Sequence, residues 1–170
     1  MKLPIVTLAL FTACSPYSVT KVTTPVLPIV GASRVGVATV CVIRSARLTQ
    51  AVSFVVHDND TVVGATRGRS HFCYEAQPGN HTIVSSTHDS SDTPARLDAQ
   101  LEAQRYWLLQ DDQNTFGSVT SILSWIDEPN AVQAASGSAY TQLTDVRSGE
   151  KLPEPIPYVL AKNNVGSATP

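Results

Sequence analysis

The stretch Arg69 to Ser86, RSHFCYEAQPGNHTIVSS, constrains the fold of this chain more than any other. It predicts two β-strands, Ser70 to Ala76 and His81 to Ser86, hinged at Gln77-Pro78-Gly79-Asn80. Aromatic and β-branched residues suit a pleated, half-buried surface. Proline pre-sets φ at the second position of a turn and glycine takes a positive φ at the third, so Pro78-Gly79 predicts a tight reversal and the pair a hairpin.

Strand patterning continues on both sides. Val35 to Arg44 (VGVATVCVIR) is apolar on both parities, as expected of a central strand covered on both faces. Ala51 to His57 places Val52, Phe54 and Val56 on one face, Asp58-Asn59-Asp60 forms a turn cluster, and Thr61 to Ala65 returns, giving a second hairpin. Pro94 to Gln104 starts like a helix, with Thr93 as a cap and Pro94 in the first turn. Yet Leu97, Ala99, Leu101 and Ala103 alternate strictly with Arg96, Asp98, Gln100 and Glu102, which reads as a strand leading into Tyr106 to Leu109. Thr115 to Ile126 holds a further strand. Asp127 as a cap, Pro129 in the first turn and a stop at Gly137 predict one short helix, after which Tyr140 to Val146 docks on the domain. The expectation is a mainly β protein: one antiparallel β-sandwich of about seven to eight strands spanning 34–146, with a short helix towards its C-terminal side.

The N-terminus reads as an address. Met1-Lys2 is a minimal positive region, Leu3 to Phe11 a short apolar run, and Phe11-Thr12-Ala13-Cys14 closes it with small residues before a cysteine. This order resembles the bacterial lipoprotein signal, the lipobox. The resemblance implies removal of residues 1–13 and lipidation of Cys14, with Phe11 standing where leucine is commonest. Ser15 after the cysteine, in place of aspartate, resembles the rule for an outer-membrane destination facing the periplasm. Residues 14–33, rich in Pro, Ser and Thr, read as an extended spacer, and 147–170, with Pro153, Pro155 and Pro157, as a flexible tail.

Setting Cys14 aside leaves Cys41 and Cys73, a disulfide candidate in an oxidising compartment or, equally, two buried thiols. Charged residues make up 15% of the chain, below the roughly 25% of typical soluble domains. A net charge of -2 gives no basic footprint for nucleic acid. No apolar run reaches the ~18 residues that span a bilayer.

The catalytic signatures of hydrolase elbows, zinc helices and phosphate loops are missing from the sequence. His57-Asp58 and His88-Asp89, with Asp60 and Asp92, are weak candidates for a divalent cation, since two histidines and carboxylates on neighbouring loops suit zinc. Their spacing matches no known ligand pattern, and solvated loop residues are the simpler reading. His81 reads as a strand-start residue that packs or hydrogen-bonds, and Tyr106, Trp107 and Trp125 as core and sheet-edge residues.

The order of features resembles a family. Val40-Cys41-Val42-Ile43-Arg44 is followed by Val62-Val63-Gly64, by Phe72 to His81 with its Pro-Gly, and by Ala103-Gln104-Arg105-Tyr106-Trp107. Over about residues 36–135 this is similar to the bacterial lipoproteins grouped as domain of unknown function 2846, and more loosely to PEGA-type β-sandwich modules. The family pattern carries glycine where Gln104 stands. The resemblance implies a small sandwich on a lipid anchor, with no catalytic residue to carry over. The function expected is that of a non-enzymatic binding or scaffolding module, held to the membrane by lipid and meeting an envelope protein partner, with no cofactor, nucleic acid or small-molecule substrate. The alternatives are a small metal-dependent hydrolase using the loop His and Asp residues, and a secreted, unanchored structural protein if Cys14 carries no lipid.

Overall fold

A computed structural model describes residues 15–22, 33–45, 50–87, 93–114 and 119–154. Ten strands and one helix occur among them: β1 Ser18–Val22, β2 Ala38–Arg44, β3 Ser53–Asp58, β4 Thr61–Arg67, β5 Ser70–Ala76, β6 Gly79–Ser86, β7 Ala95–Leu101, β8 Tyr106–Asn114, β9 Thr120–Trp125, α1 Glu128–Ala135 and β10 Ala139–Asp145. They form a six-stranded sheet, β1-β10-β5-β2-β8-β9, facing a four-stranded sheet, β4-β3-β6-β7. The mainly β class and the single short helix hold, and β1 and β10 add to the strands expected.

Every residue of β2 is buried, as its two-sided apolar pattern requires. Ala38, Val40 and Val42 point into the core between the sheets with Phe72, Tyr74, Ile83 and Leu109. Cys41 and Ile43 point the other way, beneath Ala131 of α1. The helix begins where Asp127 accepts a hydrogen bond from the Asn130 amide at 2.9 Å, and it ends before Gly137, whose φ of +73° closes the turn. In β7, half-buried Leu97 and Ala99 alternate with exposed Arg96, Asp98 and Gln100, so the strand reading of that segment holds over the helical one. Asn59 and Asp60 both take positive φ, the pair of conformations a two-residue hairpin between β3 and β4 demands.

Three expectations need correction. First, β5 and β6 are not a hairpin. β5 pairs with β2 through seven residue pairs in the large sheet, while β6 pairs with β3 and β7 in the small one. Gln77-Pro78 carries the chain across the ~10 Å between facing sheets, so the Pro-Gly reversal is an arch. Gly68, with φ +61°, makes a similar crossing from β4 to β5. The residue pattern of the two strands is the same for a hairpin and an arch; partner choice is what differs. Second, the large sheet is mixed. β8 runs parallel to β2, and β10 to the start of β5. Such pairs need long connections, which the chain separating them supplies.

Third, the spacer and the tail are partly structured. Ser18–Val22 pairs with β10 from Ser18↔Asp145 to Val22↔Tyr140, and Tyr17 before it is 5% exposed. Beyond β10, Glu150 receives a hydrogen bond from the Tyr17 hydroxyl at 2.8 Å. Tyr17, Val55, Val62, Ala65 and Leu143 form a third apolar cluster, which seals the β1–β10 edge over β3 and β4. Residues 23–32 and 155–170, parts of the expected spacer and tail, lie outside the described residues.

Gln104 occupies the left-handed region at φ +59° and its amide donates to the Val37 carbonyl at 2.7 Å. A glycine would take this conformation without the steric cost that a side chain pays.

The seam between β4 and β5 depends on Gly64. A Cβ there would lie 2.2 Å from the ring of Phe72, which is 3% exposed and cannot swing away. Gly64→Ala is expected to lower unfolding free energy by about 1–3 kcal/mol in urea denaturation. Added to Phe72→Leu, the same change should cost distinctly less. Equal costs in both backgrounds would show that the ring does not rest on this glycine.

Candidate functional site

Cys41 and Cys73 face each other across β2 and β5, bonded, with Cα atoms 4.0 Å apart. Phe72 and Tyr74 point into the sandwich, so Cys73 points outward, and Cys41 shares that outward face. Strand alternation therefore places the two sulfurs together beneath α1. Closing a 32-residue separation stabilises the fold by roughly 3–4 kcal/mol on a chain-entropy estimate.

The structure separates the weak cation candidates. His57 Nε2 lies 3.4 Å from Glu150 Oε1, on the side of β3 covered by Tyr17. Asp58 turns inward, accepting from the Tyr74 hydroxyl at 3.1 Å and from His81 Nδ1 at 2.7 Å. Asp60 stays in the exposed turn, and His88, Asp89 and Asp92, like Cys14, lie outside the described residues. Among the described residues no group of three or more His, Cys, Asp or Glu side chains is placed to hold a metal ion.

His81 does hydrogen-bond at its strand start. With Nδ1 on Asp58 and Nε2 2.8 Å from the Gln77 carbonyl, both ring nitrogens face acceptors. Tyr74 comes from the large sheet, Asp58 and His81 from the small one. The three clasp the sheets together beside the arch. Burial, aided by the Asp58 charge and hydrogen bond, pushes the Tyr74 phenol well above its usual value.

A second clasp lies deeper. Asp111 on β8 is fully buried and accepts from Ser121 on β9, from Ser85 on β6 at 3.0 Å and from Thr66 on β4 at 3.3 Å. Burial raises its carboxyl to about 6, against the opposing pull of the Ser121 and Ser85 hydrogen bonds and the Arg44 charge. Arg44, also fully buried, donates to the Val52 carbonyl at 2.8 Å and lies 4.3 Å above the Phe54 ring.

His71 is a third buried polar group. Ser138 Oγ donates to the Ala135 carbonyl at 2.7 Å, so it accepts from His71 Nδ1 at 2.6 Å, and His71 Nε2 is left buried with no hydrogen-bond partner. Burial lowers this imidazole to about 4.

Two surface depressions bear charged residues. One, of about 400 Å³, lies where Lys151–Glu154 crosses the seam near Arg34, Glu75 and Tyr74. The other, of about 530 Å³, is a shallow polar patch on β6 and β7, where Arg96 and Thr82 engage Asp98. In the first, Arg34 is paired with Glu75. Arg34–Glu75 and Arg96–Asp98 pair at the two depressions, Lys151 and Glu154 lie exposed at the first, and the hydroxyls of Thr66, Ser85 and Ser121 serve Asp111, so these residues can hold sheets together and offer a polar surface.

Sequence reading missed Tyr17, Thr66, Ser85, Asp111 and Ser121. A signal existed for Asp111: it follows Leu109 at the inward period of a strand whose preceding residues are apolar, where an acid demands internal partners. Comparison of the chain with family models, curated proteins and solved structures finds no match.

The two shifted groups predict opposing pH slopes. The fold favours neutral His71, whose contribution is whole above its ordinary value of 6.5 and is lost as pH falls towards about 4. The fold favours protonated Asp111, whose contribution is whole below 3.8 and is lost as pH rises through about 6. Each swing is on the order of 3 kcal/mol. Relative to the parent chain, Asp111→Asn should therefore gain stability as pH rises from 4 to 6, and His71→Gln should lose it. Urea denaturation at several pH values reads both slopes; variants that track the parent would show that these groups titrate as they do in the unfolded chain.

Proposed function

We propose that this chain is a lipid-anchored protein of the bacterial envelope, in the outer membrane facing the periplasm. Its β-sandwich acts as a non-enzymatic binding or scaffolding module. One observation carries the reading: the ordered signal of Lys2, the apolar run Leu3 to Phe11, and Thr12-Ala13 directly before Cys14. A diacylated or triacylated cysteine buries enough CH₂ groups, at roughly 0.8 kcal/mol each, for stable attachment. The Cys41–Cys73 bond supports an oxidising compartment. The hydrogen bonds that Asp58 and Asp111 accept from both sheets support a structural role for these two acids, leaving loops and the outer strands to meet an envelope protein partner. Nucleic acid, cofactor and small-molecule substrate have no part in this reading.

Cys14→Ala is expected to abolish incorporation of labelled palmitate and move the protein from the membrane to the soluble fraction. In-cell cross-linking of the parent chain should recover a specific envelope protein. Unchanged membrane association of the variant would reject the anchor. A cross-linking profile empty where a control lipoprotein yields its partner would reject the binding role.

A further inference from the structure

We infer that the sandwich is seated directly on the lipid surface, not held away from it on a spacer. The inference rests on the anchor at Cys14. Only Ser15 and Pro16 separate Cys14 from Tyr17. Tyr17 is already part of the folded domain: it is 5% exposed, its hydroxyl donates to Glu150 at 2.8 Å, and its ring packs with Val55, Val62 and Leu143. The strand that follows is paired along its whole length with β10.

Chain reach then sets the height. Three residue steps span at most ~10 Å, so the acylated end keeps Tyr17 within about that distance of the headgroups. A free spacer over residues 14–33 would instead allow a root-mean-square separation of roughly 25 Å. The pole beside Tyr17 is the end of β10 and the turn after it, where Asp145 is paired with Ser18 and Arg147 lies 5.7 Å from the Tyr17 ring. Arg147 and Lys151 are exposed there, and Leu152 is 42% exposed. The nearby Glu150 is occupied by Tyr17 and His57, leaving Asp145 and Glu154 as the exposed acids. Asp145, Glu150 and Glu154 offset the two cations, so charge does not draw this pole to the headgroups, and the seating rests on chain reach.

Seating also orients the molecule. The start of β10 lies six strand steps from Asp145, roughly 20 Å away. There the Ala139 amide donates to the Arg69 carbonyl at 3.2 Å, so the Gly68-Arg69 crossing sits at the pole facing away from the lipid.

Neutron reflectometry of the acylated protein, purified from native membranes and bound to a supported phosphatidylethanolamine–phosphatidylglycerol bilayer, tests this. The expected profile has protein density beginning within ~10 Å of the headgroups. A photo-cross-linking amino acid at Ser148 should label lipid, and the same group at Arg69 should not. A water-rich gap of ~25 Å, or equal labelling at both positions, overturns the seating while leaving the anchor in place. A purified chain whose intact mass carries no acyl groups, and which does not bind the bilayer, overturns the anchor and the seating with it.

Discussion

The fold depends on the two-sided burial of β2. Its inward residues fill the gap between sheets and its outward residues lie beneath the helix, so one strand serves two cores. β5 and β8 flank it, and the disulfide fixes the register with β5. β2 takes one edge of β5 along its full length and β10 takes the start of the other, while β6 pairs with β3 and β7 in the facing sheet. The arch at Gln77-Pro78 and the second crossing at Gly68 carry the chain between the two sheets.

Polar groups link the sheets at two depths. Asp111 gathers hydroxyls from both sheets, and Asp58 joins His81 on its own sheet to Tyr74 on the other. Apolar cores hold sheets together without choosing their alignment sharply. A carboxylate with several donors does choose, since sliding one sheet would strand a buried acid without partners, at a cost of about 1–3 kcal/mol or more for each bond lost. His71 is different in kind. Its unpartnered Nε2 is a standing cost, tolerated because the ring stays neutral beside Tyr140, 5.5 Å away.

Much of the strand content was legible because alternation and β-branched runs report the local backbone directly. The β3–β4 hairpin, β7 over a helix, and the Asp127 cap all came from such local signals. The arch did not, because a Pro-Gly link between two strands is compatible with either one sheet or two. The strand in the supposed spacer escaped for a related reason: Ser18–Val22 is polar on its exposed positions and gains its place only from β10, more than a hundred residues later. The site was less legible still. Cys41 and Cys73 could be paired by eye but only the shared outward face decides it, and the Asp111 cluster draws its donors from three other strands. His57 and Asp58, adjacent in sequence, are committed to Glu150 on one side of the strand and to Tyr74 and His81 on the other.

Native-state amide hydrogen exchange tests the primacy of β2 most directly. The amides of Val40 to Ile43 should exchange only through global unfolding, with a free energy equal to that from denaturant titration, while those of the edge strand β9 exchange through smaller openings. Exchange of the β2 amides as readily as those of β9 would contradict the account, because the remaining strands would then stand without the one on which they are stacked.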